Sequence, residues 1–221
     1  MSVRDAEPKQ GEGWLLALHS SSDSLGVALQ PLGRPESPAT LQAFPLGRAL
    51  AHHLLPCVEA VLPARAWPQL ARLAVATGPG GFTGTRLTVA MARTLAQQLD
   101  LPLDGISSFH LMARRLLAPE PAGTSVILSH DLPRHGVVAG LYRSDVTALA
   151  GVAELCPPRL WPNASALTRA LGDHAHHAAQ PLLPGDAEEL LAFSQEAAHS
   201  GRPAPWSCVV PLYPTSPVEQ A

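Results

Sequence analysis

Four glycines, Gly78, Gly80, Gly81 and Gly84, fall within seven residues, between a short apolar run and a helical stripe. Ala71 to Thr77 is apolar without polar alternation, which predicts a strand buried on both faces. Glycine backbones reach positive φ and admit another backbone, a side chain or an anion at close range, and Pro79 stiffens the turn. Beyond the turn, Thr83 or Thr85 is expected to cap a helix whose apolar positions Leu87, Ala90, Met91, Leu95 and Leu99 recur at helical spacing. A strand, a glycine turn and a helix N-terminus admit two readings. The free N–H groups and positive dipole end of the helix suit a phosphate, or the glycines simply let the helix pack tightly after the strand. Neither G-x-G-x-x-G nor a Walker lysine is present, and Lys9 is the only lysine of the chain.

The 221 residues suffice for one large domain or two small ones, and 46% hydrophobic against 15% charged residues supplies ample core. A net charge of -3 gives no electrostatic footprint for nucleic acid, so any RNA contact is expected to pass through a partner. Cys57, Cys156 and Cys208 are too few and too scattered for a disulfide framework. With no signal segment and no apolar run near 20 residues, the sequence reads as a soluble protein of a reducing compartment, the cytoplasm, with no membrane contact.

Residues 1–12 read as a disordered leader. Trp14 to His19 and Leu25 to Leu29 form an expected hairpin around Ser20 to Ser24, and a third strand covers Ala39 to Phe44. From Gly47 to Leu62 the pattern turns helical, with Leu50, Leu54, Val58 and Val61 on one stripe, Ala51, Leu55 and Leu62 on the next, and Pro56 inside. The helix after the glycine turn likewise carries a second stripe, Val89, Ala92 and Ala96. One sheet covers only one side of a helix, so the surplus apolar face implies further cover, from a partner chain or from elsewhere in this one. A strand at Leu101 to Ile106 and a helix at Ser108 to Leu117 precede a break at Pro119 to Gly123. The second half offers strands at Ser125 to Ser129, Gly136 to Tyr142 and near Leu149 to Leu155, and helices at Ala164 to Leu171 and Ala187 to Ala198. Both halves pass from strands to helices, so the chain reads as two related α/β lobes, 13–118 and 119–221.

ATGPGGFTGTR resembles the signature of the TsaB family, also called YeaZ, of the actin-like and sugar-kinase ATPase superfamily. LLALHSSSDSLGVAL is similar to the family's opening hairpin, LLPCVEAVL to its first helix, GISSFHLMA to its next strand and helix, and DLPRHGVVAGLY to its second-lobe strand pair. The resemblance covers Leu15 to Tyr142, and the closing PLYPTSP adds little. It implies two RNase H-like lobes with mixed sheets flanked by helices. It also implies a role in making N6-threonylcarbamoyladenosine at position 37 of tRNAs that read codons beginning with A. In that family the protein is a non-catalytic subunit: it pairs with the catalytic TsaD through the first two long helices, the ATPase TsaE joins them, and the same helices could also form a homodimer when the partner is absent.

On this resemblance Leu50, Leu54, Val58, Leu87, Met91 and Leu95 are the expected partner surface. Gly78, Gly80, Gly81, Thr83, Gly84 and Arg86 shape the turn, and with Ser20 and Ser21 they are the candidate contacts for ATP or ADP at the partner interface. No catalytic residue and no metal ligand is expected. Where the superfamily ends its opening strand in an aspartate that manages the metal and phosphates of ATP, this chain has His19, which lacks the hard oxygen that magnesium prefers. The alternatives are an ATP-hydrolysing or glycoprotease-like enzyme, which needs a nucleophile with a base, and a free-standing homodimer with another binding role. His174, His176 and His177 could ligate zinc but read as a solvated loop. Asp131, Arg134 and His135 read as a turn rather than an acid–base set, and Asp186, Glu188 and Glu189 as a helix's negatively charged first turn.

Overall fold

The computed structural model describes residues 13–214; the expected leader lies outside the described residues. The chain forms two compact units. The first takes residues 13–108 and Pro181–Pro211, the second Phe109–Gln180 with residues 212–214.

In the first unit, β1 (Trp14–His19), β2 (Ser24–Pro31), β3 (Thr40–Pro45), β4 (Leu70–Ala76) and β5 (Leu103–Ile106) form a sheet in the order β3-β2-β1-β4-β5. β1 pairs antiparallel with β2 and parallel with β4, which runs parallel to β5. All six residues of β1 are buried. Trp14, Leu16 and Leu18 join the core under α1 (Leu50–Val61) and α2 (Phe82–Leu99). Strand alternation turns Leu15, Ala17 and His19 to the opposite face, where α5 (Gly185–His199) packs on β1, β2 and β4. The run from Trp14 to His19 is apolar at nearly every position because both of its faces are covered. α1 runs on through Pro56, which sits on the exposed side of the helix.

The second unit repeats the pattern. β6 (Ser125–Leu132), β7 (Gly136–Ser144), β8 (Val152–Trp161) and β9 (Ala175–Ala178) form a sheet in the order β8-β7-β6-β9, with β9 parallel to β6. α3 (Ser108–Leu117) puts Phe109, Met112, Ala113 and Leu117 against one face. α4 (Ala164–Leu171) puts Leu167 against the other, beside Ile127, Ala139, Leu141 and Trp161. The fold is therefore α/β, with two mixed sheets flanked by helices.

Three expectations change here. The single boundary near residue 118 is replaced by two crossings: α3 packs in the second unit, and 181–211 returns to the first. α5 returns by burying Leu190, Leu191 and Phe193, and it also bonds an ion pair between two strands. Arg72 on β4 donates from Nε and Nη2 to the two carboxylate oxygens of Asp104 on β5 at 2.7 and 2.9 Å, and the Ser194 hydroxyl of α5 donates to the same carboxylate. The strand expected near Leu149 to Leu155 starts at Val152 and runs on to Trp161, with Pro157 and Pro158 taken up at register shifts on the sheet's edge. The GDHAHHAAQP stretch contains the edge strand β9 instead of only loop; its pattern is polar because every residue of β9 is exposed.

Candidate functional site

The glycine turn closes on the chain itself. A Cβ at Gly80 would fall on the carbonyl oxygen and Cβ of Ser21, and one at Gly84 would lie 2.8 Å from the Ser20 carbonyl oxygen and 3.0 Å from a Leu50 methyl. The Gly81 N–H donates to the Ser21 carbonyl at 2.8 Å, and Gly78, with φ of 95°, accepts from the Ser108 N–H at 2.7 Å. Of the two readings of these glycines, close backbone approach accounts for Gly80 and Gly84. Neither Thr83 nor Thr85 caps α2: the helix begins at Phe82, behind Gly81, without a side-chain cap. Thr83 is exposed, whereas Thr85 is buried and its hydroxyl donates to the Ser21 hydroxyl at 3.4 Å. Arg86 lies over the half-exposed Phe82 ring, 4.2 Å from its centre.

The Ser20 and Ser21 hydroxyls are also turned inward. Ser20 pairs with Thr88 and Ser21 with Ser108, each at 2.6 Å and each buried. His19 is fully buried, and burial pushes its pKa down to about 3, so it is neutral. Its Nδ1 accepts from the Ser21 N–H at 3.3 Å, which leaves the proton on Nε2, and Nε2 finds no hydrogen-bond partner among the described residues. A phosphate with its magnesium needs free donors and oxygen ligands. Here the hydroxyls bond to each other, the space above Gly80 holds Ser21, and the strand ends in a neutral imidazole, so these residues do not fit that group. Nor do they form a nucleophile and base, because the imidazole bonds a backbone N–H and the serine hydroxyls bond hydroxyls. Sequence reasoning gives Thr85 only a capping role and Thr88 and Ser108 no site role, whereas all three hydroxyls meet the serine turn. The available signal was a pair of threonines three apart on the same α2 stripe as Ala92.

The expected partner surface divides. Leu50, Leu54, Val58 and Leu95 are 6, 7, 0 and 8% exposed and belong to the core beneath α1 and α2. Burial removes these four from the surface a partner could touch. Leu87 and Met91 are half-buried at the rim of that core. On the outer side of α1 and α2 lie Ala51, Leu55 and Ala90, and Phe82 stands at the start of α2; Leu55 is 47% and Phe82 49% exposed. Part of the surplus apolar surface is met inside the first unit, where Trp206 and Val209 of the returning segment join the same core.

The remaining candidates include no group that could hold a metal ion among the described residues. His176 and His177 are neighbours on β9 and so point to opposite faces. Asp131, Arg134 and His135 are exposed on the β6–β7 turn, where they line an open groove of about 480 Å³ with Asn163 and Ala164 at the start of α4. Of the acidic first turn of α5, Asp186 is buried and accepts from the Leu182 N–H at 2.6 Å. In the second unit His110 holds the Val152 carbonyl at 2.9 Å and stacks near Tyr142, whose hydroxyl donates to Glu154 at 3.1 Å. Burial lowers the His110 pKa against the opposing pull of that carbonyl and of the Glu154 charge.

Comparison with known proteins gives a consistent answer. Residues 46–152 match the family model described as "TsaD: tRNA N6-adenosine threonylcarbamoyltransferase". Over 101 residues the chain is 34% identical to the tRNA threonylcarbamoyladenosine biosynthesis protein TsaB of Bacillus subtilis (strain 168), a match that takes in 45% of this chain and 43% of that protein. The chain thus spans less than half the length of that relative. Two solved structures share the fold. One, an uncharacterized protein with similarity to peptidase YeaZ from Pseudomonas aeruginosa, superposes with a TM-score of 0.71 at 23% identity, covering 92% of this chain and all of the other. YeaZ from Pseudomonas aeruginosa gives 0.69 at 24% identity over 91% and 99% of the two chains. The resemblance first carried by ATGPGGFTGTR is thereby borne out.

Proposed function

We propose that this relative of the TsaB/YeaZ family serves tRNA threonylcarbamoyladenosine synthesis as a non-catalytic subunit, docking a TsaD-type catalytic subunit on the outer side of α1 and α2. One observation carries the reading: α1 and α2 keep Leu55, Leu87, Met91 and Phe82 at or near the surface after their inner stripes have filled the core. The match to the TsaD family model spans α1, the glycine turn, α2 and α3. The turned-in hydroxyls and the neutral His19 favour a scaffold over an ATP-hydrolysing or proteolytic enzyme. A TsaE-type ATPase joins the pair, and any ATP or ADP sits with the assembly. The same face makes a homodimer when the partner is absent. With a net charge of -3 this chain leaves tRNA to its partners, in the cytoplasm. Among the described residues no helix is long and apolar enough to cross a membrane.

The test is co-expression with the TsaD- and TsaE-type proteins of the same cell, with tRNA modification assayed with and without this chain. Modification is expected to require it. Met91→Arg or Leu55→Arg is expected to weaken co-purification at least about tenfold while the chain stays folded. Unchanged co-purification of both variants overturns the docking face, and full modification without the chain overturns the role.

A further inference from the structure

α2 starts without the usual means of holding a helix end. Its N-cap is Gly81, no side chain caps it, and its first turn contains no acid. The inner side of its first half is also mixed, with the buried hydroxyls of Thr85 and Thr88 beside Val89, where the second half has only Ala92, Leu95 and Ala96. An apolar contact is non-directional and tolerates small slips, whereas a buried hydrogen bond fixes distance and angle. Five buried hydroxyls supply such bonds: Ser20 with Thr88, Ser21 with Ser108, and Thr85 with Ser21. The Gly81 N–H to the Ser21 carbonyl adds a backbone clamp, and Gly80 and Gly84 let the serine turn close to this range.

We infer that this hydroxyl lattice is the positioning device of the docking face. Thr85 and Thr88 lie on the same turns as Leu87 and Met91, so fixing the former against the β1–β2 turn sets the height and rotation at which the latter are presented. Ser20, Ser21, Thr85, Thr88 and Ser108 are positioning residues that touch no partner themselves. The inference rests on the docking reading and adds to it the residues that hold the face in register.

The experiment measures binding of purified TsaD-type subunit to the wild-type chain, to Ser20→Ala with Thr88→Val, to Thr88→Ser and to Met91→Arg. The double variant removes both partners of one bond, so no orphan hydroxyl is left and the fold is expected to survive. Its affinity is expected to fall about tenfold, mainly through faster dissociation, and Thr88→Ser, which keeps the hydroxyl, is expected to retain wild-type binding. If the double variant binds like the wild type while Met91→Arg does not, the lattice has no positioning role and the docking face stands. If Met91→Arg also binds normally, the docking face itself is wrong. Amide hydrogen exchange of the unmodified chain gives an answer that does not depend on any variant folding. The lattice requires the amides of residues 85–89 to exchange as slowly as those of 92–96, and exchange at the rate of a fraying helix end overturns it.

Discussion

The turn joining β1 to β2 and the turn joining β6 to β7 occupy the same place in two sheets of matching order, yet one is sealed and the other open. Ser20 and Ser21 spend their hydroxyls on Thr88 and Ser108, whereas Asp131, Arg134 and His135 face water. The difference lies in the segment that leaves the adjoining parallel strand. β4 leads through the glycine turn into an 18-residue helix that lies back on the serine turn. β9 leads instead into a segment that joins the first unit, so among the described residues no helix following β9 covers the second turn within its own unit. Strand topology alone therefore does not fix whether a hairpin end becomes core or surface; the helix beyond it does.

The largest effect that would test this contrast is a charge under the first unit's helices. Val58→Asp buries an unpaired carboxylate at a position with no exposure and is expected to cost more than about 4 kcal/mol, read as loss of the cooperative unfolding transition. A folded, stable Val58→Asp protein would mean that α1 is not seated as described. Next in size is acid sensitivity. His19 has a folded pKa of about 3 against 6.5 in the unfolded chain, so the unfolded state binds the extra proton between these values. Stability is therefore expected to fall by several kcal/mol as pH drops from 6.5 toward 3. His110 shifts in the same direction but has the Val152 carbonyl as a partner. Urea unfolding across this range should show His19→Leu flattening the slope more than His110→Leu does; equal slopes would erase the distinction between the two buried imidazoles.

Gly80→Ala sharpens the comparison at the level of one methyl group. Its Cβ meets backbone rather than a flexible side-chain end, so about 1–3 kcal/mol of destabilisation is expected in chemical denaturation, without loss of the fold. The smallest effect belongs to the open turn. Arg134→Ala and His135→Ala are each expected within about 0.5 kcal/mol of the wild type by the same measurement, and a larger loss would show that the turn is held by more than its backbone.

Much of this architecture is legible in the sequence for reasons that are local. Alternation and run length locate β1, β2, β4, β6 and β7, and helical periodicity locates α1 to α5, because burial on a fixed face repeats at the period of the element. β9 is illegible for the converse reason: an exposed edge strand imposes no apolar pattern on AHHA. The partner surface is only half legible. Leu50, Leu54, Val58 and Leu95 share the stripe periodicity of Leu87 and Met91, and periodicity says that residues are on one side of a helix without saying whether that side meets a sheet or a partner.

By itself the sequence determined the helices and the buried strands, their order, the duplication of an α/β lobe and the need for glycine between β4 and α2, since each depends on residues near one another in the chain. Only the tertiary structure decided that the glycines receive the serine turn, that His19 is neutral and buried, and that 181–211 completes the first unit. Those outcomes depend on groups far apart in sequence, such as Ser20 with Thr88, and Arg72 and Ser194 both with Asp104, whose hydrogen bonds exist only once the sheet has brought them within reach.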